Sequence, residues 1–107
     1  MKDLEKKWSL LIQRLEKQFE YEITLKGVLY VIGLQELNMP EKSFSKEEKV
    51  DVLHVATCKI LSTFGYYKFT SVDKDGWPHY EEVKALKNLS ESEQEKLIKE
   101  GIIRYVS

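Results

Sequence analysis

Apolar residues recur at spacings of three and four along most of the chain, which is the pattern of amphipathic helices. This periodicity predicts four helices, over residues 2–19, 24–38, 46–64 and 90–105. Gly101 falls inside the last of them and costs that helix about 1 kcal/mol relative to alanine. We therefore expect a mainly α fold.

Helix boundaries are marked by residues with known capping behaviour. Ser45 followed by Glu48, and Ser90 followed by Glu93, match the capping box that begins a helix. Gly65 stands where a C-cap glycine would end the third helix. These signals support the third and fourth helices independently of their apolar periodicity.

Residues 66–83 have a different pattern, in which aromatic and β-branched residues alternate around Asp73-Lys74-Asp75-Gly76. That tetrapeptide has the composition of a tight turn, so the segment predicts a β-hairpin. Pro78 leaves an alternative, because proline is also favoured at the first position of a helix. Residues 77–86 are therefore a strand or a short helix, and we favour the strand.

The second and third helices have apolar residues on more than one side. Val50 belongs to the main apolar face of the third helix, whereas Val52 and Val55 point elsewhere, and Tyr30 lies on a second face of the helix before it. A single small bundle has difficulty covering two such helices. We therefore expect a homodimer that buries Val52, Val55 or Tyr30.

Composition places the chain among small globular domains. Its 107 residues predict a single domain, 1–107, and its one cysteine, Cys58, indicates a reducing compartment. No apolar segment of signal-peptide type follows Met1, and the longest uncharged run, residues 27–35, is far below the roughly 20 residues that span a bilayer. We expect a cytoplasmic protein with neither a cofactor nor a membrane partner.

The order of three helices, a hairpin and a last helix also matches a winged helix-turn-helix protein. In that class the third helix enters the DNA major groove. Here its first turns hold Glu47, Glu48 and Asp51 beside Lys46 and Lys49, and the whole chain has 17 basic and 18 acidic residues. Because phosphate contacts supply most of the affinity for DNA, this charge makes nucleic-acid binding an alternative rather than the leading interpretation.

Two sets of residues could carry metal chemistry. From Ser71 onward the turn follows part of the calcium-loop pattern of an EF-hand, but Ser71 and Pro78 depart from it and Gly65 removes the preceding helix. Asp51, His54 and Cys58 lie one turn apart on one side of the third helix, a spacing that suits a zinc or thiol site if His79 joins them. The alternative is a buried cysteine beside a histidine at the edge of the core.

The aromatic residues of the hairpin are the candidate interaction surface. Tyr66, Tyr67, Trp77 and Tyr80 either cover the helical core or offer themselves to a partner, since tyrosine and tryptophan are enriched in interfaces. A non-catalytic interaction or structural module is therefore the leading function class, ahead of a DNA-binding winged helix and of a metal or thiol site.

Four short strings resemble those of a small family of uncharacterised bacterial proteins of about this length. The strings are Gly33-Leu34-Gln35-Glu36-Leu37, Leu53-His54-Val55-Ala56, Phe64-Gly65-Tyr66-Tyr67 and Asp75-Gly76-Trp77-Pro78-His79. The resemblance implies a bacterial cytoplasmic protein. It implies no activity, ligand or site residue.

Overall fold

The computed structural model describes residues 2–19, 22–37 and 44–106. In chain order the elements are α1 Lys2–Phe19, α2 Leu25–Leu37, α3 Lys46–Ser62, β1 Tyr67–Val72, β2 Pro78–Glu82, a 3-10 turn Leu86–Asn88 and α4 Glu91–Val106. The predicted mainly α domain with one hairpin is confirmed. The predicted end of the second helix, at residue 38, lies outside the described residues. None of the described helices is long and apolar enough to cross a bilayer.

Both predicted capping boxes are present. The Ser45 hydroxyl accepts a hydrogen bond from the Glu48 N–H at 3.1 Å, and the Ser45 N–H donates to the Glu48 carboxylate at 2.9 Å. Ser90 and Glu93 repeat the arrangement at 3.1 and 3.0 Å. Gly65 follows α3 with a φ of 82°, a conformation that glycine adopts without steric cost. Local sequence therefore sets where α3 and α4 begin.

The hairpin is antiparallel, and residues 77–86 do not form the alternative helix. Tyr67 pairs with Glu82 and Phe69 with Tyr80, and the register then shifts between Phe69 and Ser71. Pro78 is the first residue of β2, at the edge of a two-stranded sheet, where its missing N–H removes no interior ladder bond.

Helix α3 lies at the centre of the molecule, in contact with α2, α4 and both strands, while α1 packs against α4. Where the helices meet they bury a set of apolar residues that we call the central cluster. Its buried members are Leu11, Val28, Leu29, Ile32, Ala56, Ile60 and Ile102. All four helices contribute to it.

A second group of apolar residues, the lid cluster, lies on another side of α3. Leu37, Val52 and Val55 are its buried members, and Tyr30, Phe44 and Trp77 pack over them. The predicted dimer contact at Val52 and Val55 is wrong, because Phe44 and the hairpin cover both side chains within one chain, while a contact at the half-buried Tyr30 stays a prediction. The assignment of Val50 to the main buried face is also wrong, since that side chain is 62% exposed.

Two buried glycines allow α2 and α4 to approach α3 closely. A Cβ on Gly33 would collide with the carbonyl oxygen and the side chain of Val52. A Cβ on Gly101 would collide with the Ile60 side chain and lie 3.2 Å from the Phe64 ring. The helix-propensity cost at Gly101 therefore accompanies a close helix–helix contact.

Candidate functional site

The hairpin turn is organised by the carboxylate of Asp73. One oxygen, Oδ1, accepts hydrogen bonds from the N–H groups of Asp75 at 2.9 Å and Trp77 at 3.0 Å. The other, Oδ2, lies 2.8 Å from Nε2 of His79. Gly76 completes the turn with a φ of 90°. A single side chain thus fixes the backbone on both sides of Gly76.

These hydrogen bonds also explain the acidity of Asp73. The hydrogen bond with the His79 ring, followed by that from the Trp77 N–H, lowers the pKa of the Asp73 carboxyl below its ordinary value. A calcium loop needs such oxygens free to coordinate the cation. Because N–H donors and His79 already engage both oxygens of Asp73, the turn supports the hairpin interpretation over the calcium one.

Trp77 is placed by this turn over the lid cluster. Its ring meets Phe44 edge to face, with 6.1 Å between the centroids, and both rings pack on Leu37, Val52 and Val55. Aromatic pairs in this geometry add about 0.5–1.5 kcal/mol beyond the area they bury. Of the two roles that the sequence leaves open for Trp77, the structure shows the lid.

The predicted aromatic surface is divided among several local contacts. Tyr80 meets Phe69 edge to face at 5.8 Å, and the Lys84 ammonium lies 4.7 Å from the Tyr66 ring centroid. Burial raises the pKa of Tyr67 and of Tyr80, and proximity to Cys58 adds to both shifts. Tyr67 and Tyr80 are therefore the rings that lie near α3.

His54 and Cys58 come together as their helical spacing predicts. His54 Nε2 lies 3.5 Å from Cys58 Sγ. The thiol is buried, however, and burial raises the pKa of Cys58 to about 11. At neutral pH the group is a neutral thiol, whereas nucleophilic attack and metal ligation need the thiolate. The pair therefore matches the interpretation of a core cysteine beside a partly exposed histidine.

The other members of the predicted metal set do not join this pair. His79 binds Asp73 in the hairpin turn, and Asp51 is exposed on α3. Within residues 2–19, 22–37 and 44–106, no three histidine, cysteine or acidic side chains are grouped so as to hold a metal ion. The weak metal candidates His54, Cys58 and His79 thus occupy two separate places.

A polar cluster that the sequence does not reveal lies where α2, α3 and α4 meet. The Tyr105 hydroxyl donates to the Glu36 carboxylate at 2.7 Å, and Lys59 Nζ lies 3.9 Å from its other oxygen. Burial, and then the hydrogen bond to Glu36, raise the pKa of Tyr105 to about 12. Because 69 residues separate the two partners, no local pattern could have predicted the contact.

Helix α3 offers little surface to a DNA groove. Six of its 17 residues are buried, and the hairpin, α2 and α4 all pack against it. The exposed part lies mainly in the first turns, where Glu47 and Asp51 offset the charge of Lys46 and Lys49. A recognition helix needs an accessible face with side chains that reach base edges.

An exposed apolar surface lies on α2. Val31 is 54% exposed and Leu34 38% exposed, and we call this pair the α2 ridge. Beside it, a groove of about 340 Å³ runs between α2 and the C-terminal end of α4. Its apolar lining comes from Leu15, Ile23, Val28, Val31, Ile32, Tyr105 and Val106.

Comparisons with protein-family models, with curated proteins and with solved structures gave no match.

Proposed function

We propose that this domain is a non-catalytic interaction module that forms a homodimer through the α2 ridge. The observation that carries the proposal is the exposure of Val31 and Leu34 on a helix whose 13 residues include only two charged ones, Lys26 and Glu36. Contiguous exposed apolar surface of this kind marks interaction sites in globular proteins.

The neighbouring groove gives the ridge a complementary surface. A two-fold dimer uses the same patch on both copies, so each copy must supply both a projection and a recess. Here the exposed Val31 and Leu34 side chains lie along the edge of the groove between α2 and α4, which Val31 also lines. In the proposed dimer the ridge of each copy inserts into the groove of the other.

Light scattering coupled to size-exclusion chromatography tests the dimer with the full chain at about 100 μM, a concentration that populates micromolar complexes. We expect twice the chain mass for the wild type and one chain mass for the double variant Val31→Glu/Leu34→Glu. Four charges brought into an apolar contact should weaken association by about 100-fold or more.

Val72→Glu/Val83→Glu is the matched control. It replaces two exposed valines of the hairpin region, which are 56% and 57% exposed and lie outside α2, by glutamate. This control should stay dimeric, and circular dichroism should show the same helix content for both variants. A wild-type monomer at this concentration, or equal dissociation of both variants, would refute the proposal.

We also propose that the protein acts in the bacterial cytoplasm. The lone Cys58 supports this location, because it is held as a buried free thiol and makes no disulfide within the chain. Detection of the tagged protein in the cytoplasmic fraction of its host would agree with the proposal, and recovery from an oxidising compartment would contradict it.

A further inference from the structure

A second groove, of about 570 Å³, lies on the side of α2 that faces α3. It runs between the N-terminal halves of the two helices, and we call it the α2–α3 groove. Its lining residues are Thr24, Lys26, Gly27, Tyr30, Lys46, Lys49, Val50 and Leu53. The volume falls within the range of about 300–1,000 Å³ that is usual for ligand sites.

The charge of this groove has one sign. Lys26, Lys46 and Lys49 are exposed, none forms an ion pair within the described part of the chain, and none of the lining residues is acidic. Along α3 the charges are separated by side. Lys46 and Lys49 lie three residues apart on the groove side, while Glu47, Glu48 and Asp51 lie on the other faces and do not line the groove. The groove is therefore positive in a chain whose net charge is −1.

The surface between the lysines is apolar. Val50 is 62% exposed, and the half-buried side chains of Tyr30 and Leu53 lie beside it. An apolar floor with cationic edges complements a ligand that has apolar side chains flanked by carboxylates. Such a ligand buries Val50 and leaves the lysines paired at the rim, where charge pairs set specificity and the rate of encounter.

We infer that the α2–α3 groove binds an acidic amphipathic helix of a partner protein. The groove-side residues of α3 extend from Lys46 to Leu53, which at 1.5 Å per residue is about 10 Å, or two turns of helix. A bound helix would place apolar residues at spacings of three and four on the floor and glutamate or aspartate on both sides. This site is distinct from the α2 ridge and does not depend on dimer formation.

Nucleic acid fits the groove less well. A phosphate backbone needs several regularly spaced cations, and its affinity comes mostly from them. Here three lysines surround an apolar floor, and Glu22, Glu47 and Asp51 are exposed on neighbouring surfaces. The apolar floor would gain nothing from phosphates.

Two fluorescein-labelled peptides of about 12 residues test the inference by fluorescence anisotropy with the full chain. Both carry leucines at spacings of three and four; one has glutamate at all flanking positions and the other has lysine. We expect the acidic peptide to bind at least about ten-fold more tightly than the basic one, by a margin that shrinks as salt is added.

Charge reversal in the groove gives the sharper measurement. Lys26→Glu/Lys49→Glu should weaken binding of the acidic peptide by about ten-fold or more and should strengthen binding of the basic peptide. Lys74→Glu/Lys87→Glu, which changes the same net charge at exposed sites outside the groove, should leave the preference in place. Val50→Asp should weaken binding of the acidic peptide by a similar factor, because it puts a carboxylate on the apolar floor of the groove.

The inference is overturned if the acidic peptide does not bind at about 1 mM, if both peptides bind equally, or if the two charge-reversal variants behave alike. It is also overturned if a single-stranded oligonucleotide of equal charge binds more tightly than the acidic peptide. The peptide result and the dimer are separable, since Val31→Glu/Leu34→Glu should keep peptide binding and Lys26→Glu/Lys49→Glu should keep the dimer.

Discussion

The central cluster and the lid cluster both rest on α3, yet they are built in different ways. All four helices supply the buried residues of the central cluster, so it is a helix bundle core. The buried residues of the lid cluster come from α2 and α3 alone, and Phe44 and Trp77 close it from segments outside the helices. The central cluster depends on helical periodicity, while the lid cluster also depends on the hairpin turn that positions Trp77.

This difference has a consequence for stability. Removing a central residue leaves a cavity that four packed helices cannot easily close, whereas the Phe44 and Trp77 side chains that cover the lid cluster are partly exposed. We therefore expect a graded series of effects, in which the central cluster is most sensitive and the turn beneath Trp77 is least sensitive.

Ile60→Ala should have the largest effect. Ile60 is fully buried between α2 and α4, and truncation to alanine at such sites costs about 3–4 kcal/mol. Urea unfolding followed by circular dichroism measures the loss. Val50→Ala, an exposed site on the same helix, is the control and should stay within about 0.5 kcal/mol of wild type. Equal effects at the two sites would contradict the assignment of the buried face of α3.

Trp77→Ala should destabilise the chain by about 2 kcal/mol, less than a fully buried tryptophan because the ring is only partly covered. Trp77→Phe keeps an aromatic contact with Phe44 and should recover about half of the loss. Urea unfolding of both variants checks this order. If Trp77→Ala were neutral, the lid role of Trp77 would be wrong.

Gly33→Ala should destabilise by about 1–2 kcal/mol even though alanine favours helix, because the new Cβ would collide with Val52. Gly27→Ala is the matched control on the same helix. Among the described residues, the heavy atom closest to its Cβ outside its own helix backbone is Thr24 Oγ1 at 3.4 Å, so this change should be neutral or stabilise by up to about 1 kcal/mol. Thermal unfolding distinguishes the two variants by the sign of the change in Tm, which should fall for Gly33→Ala and stay the same or rise for Gly27→Ala.

Asp73 should give the smallest effect, and only in acid. The hydrogen bond with His79 lowers the pKa of Asp73 in the folded chain, so its contribution is present above the unfolded pKa of about 4 and is lost as the pH falls through the lower folded value. In a Trp8→Phe background, the fluorescence of Trp77 reports the loosened turn.

Asp73→Asn should remove this acid-induced change and Asp75→Asn should retain it, since only the Asp73 carboxylate binds the turn N–H groups and His79. Identical acid titrations for the two variants would show that the Asp73 carboxylate does not position Trp77.

The sequence predicted the elements well but not which apolar face is buried. On α3, Val50 and Val52 are both apolar and lie two positions apart, so each belongs to a plausible stripe. Periodicity could not choose between them, because the choice depends on where α2, Phe44 and Trp77 lie. For the same reason, periodicity predicts a dimer contact at Val52, Val55 or Tyr30, although the chain by itself covers Val52 and Val55.

The candidate sites show the same limit. The His54–Cys58 contact followed from their spacing on one helix. The burial that raises the pKa of Cys58, the pairing of His79 with Asp73 and the contact between Tyr105 and Glu36 all depend on tertiary packing. The exposure of Val31 and Leu34 in the α2 ridge likewise depends on which faces of α2 the rest of the chain covers.

By itself, the sequence determined the four helices, the capping boxes of α3 and α4 and the hairpin, because these depend on apolar spacing, side-chain caps and turn residues within a few positions of one another. Only the tertiary structure decided the burial of Val52, the exposure of Val31 and the close contacts at Gly33 and Gly101. The physical reason is that each of these features is set by a neighbour distant in sequence. A glycine allows a close helix contact only where another residue packs against the position that its Cβ would occupy.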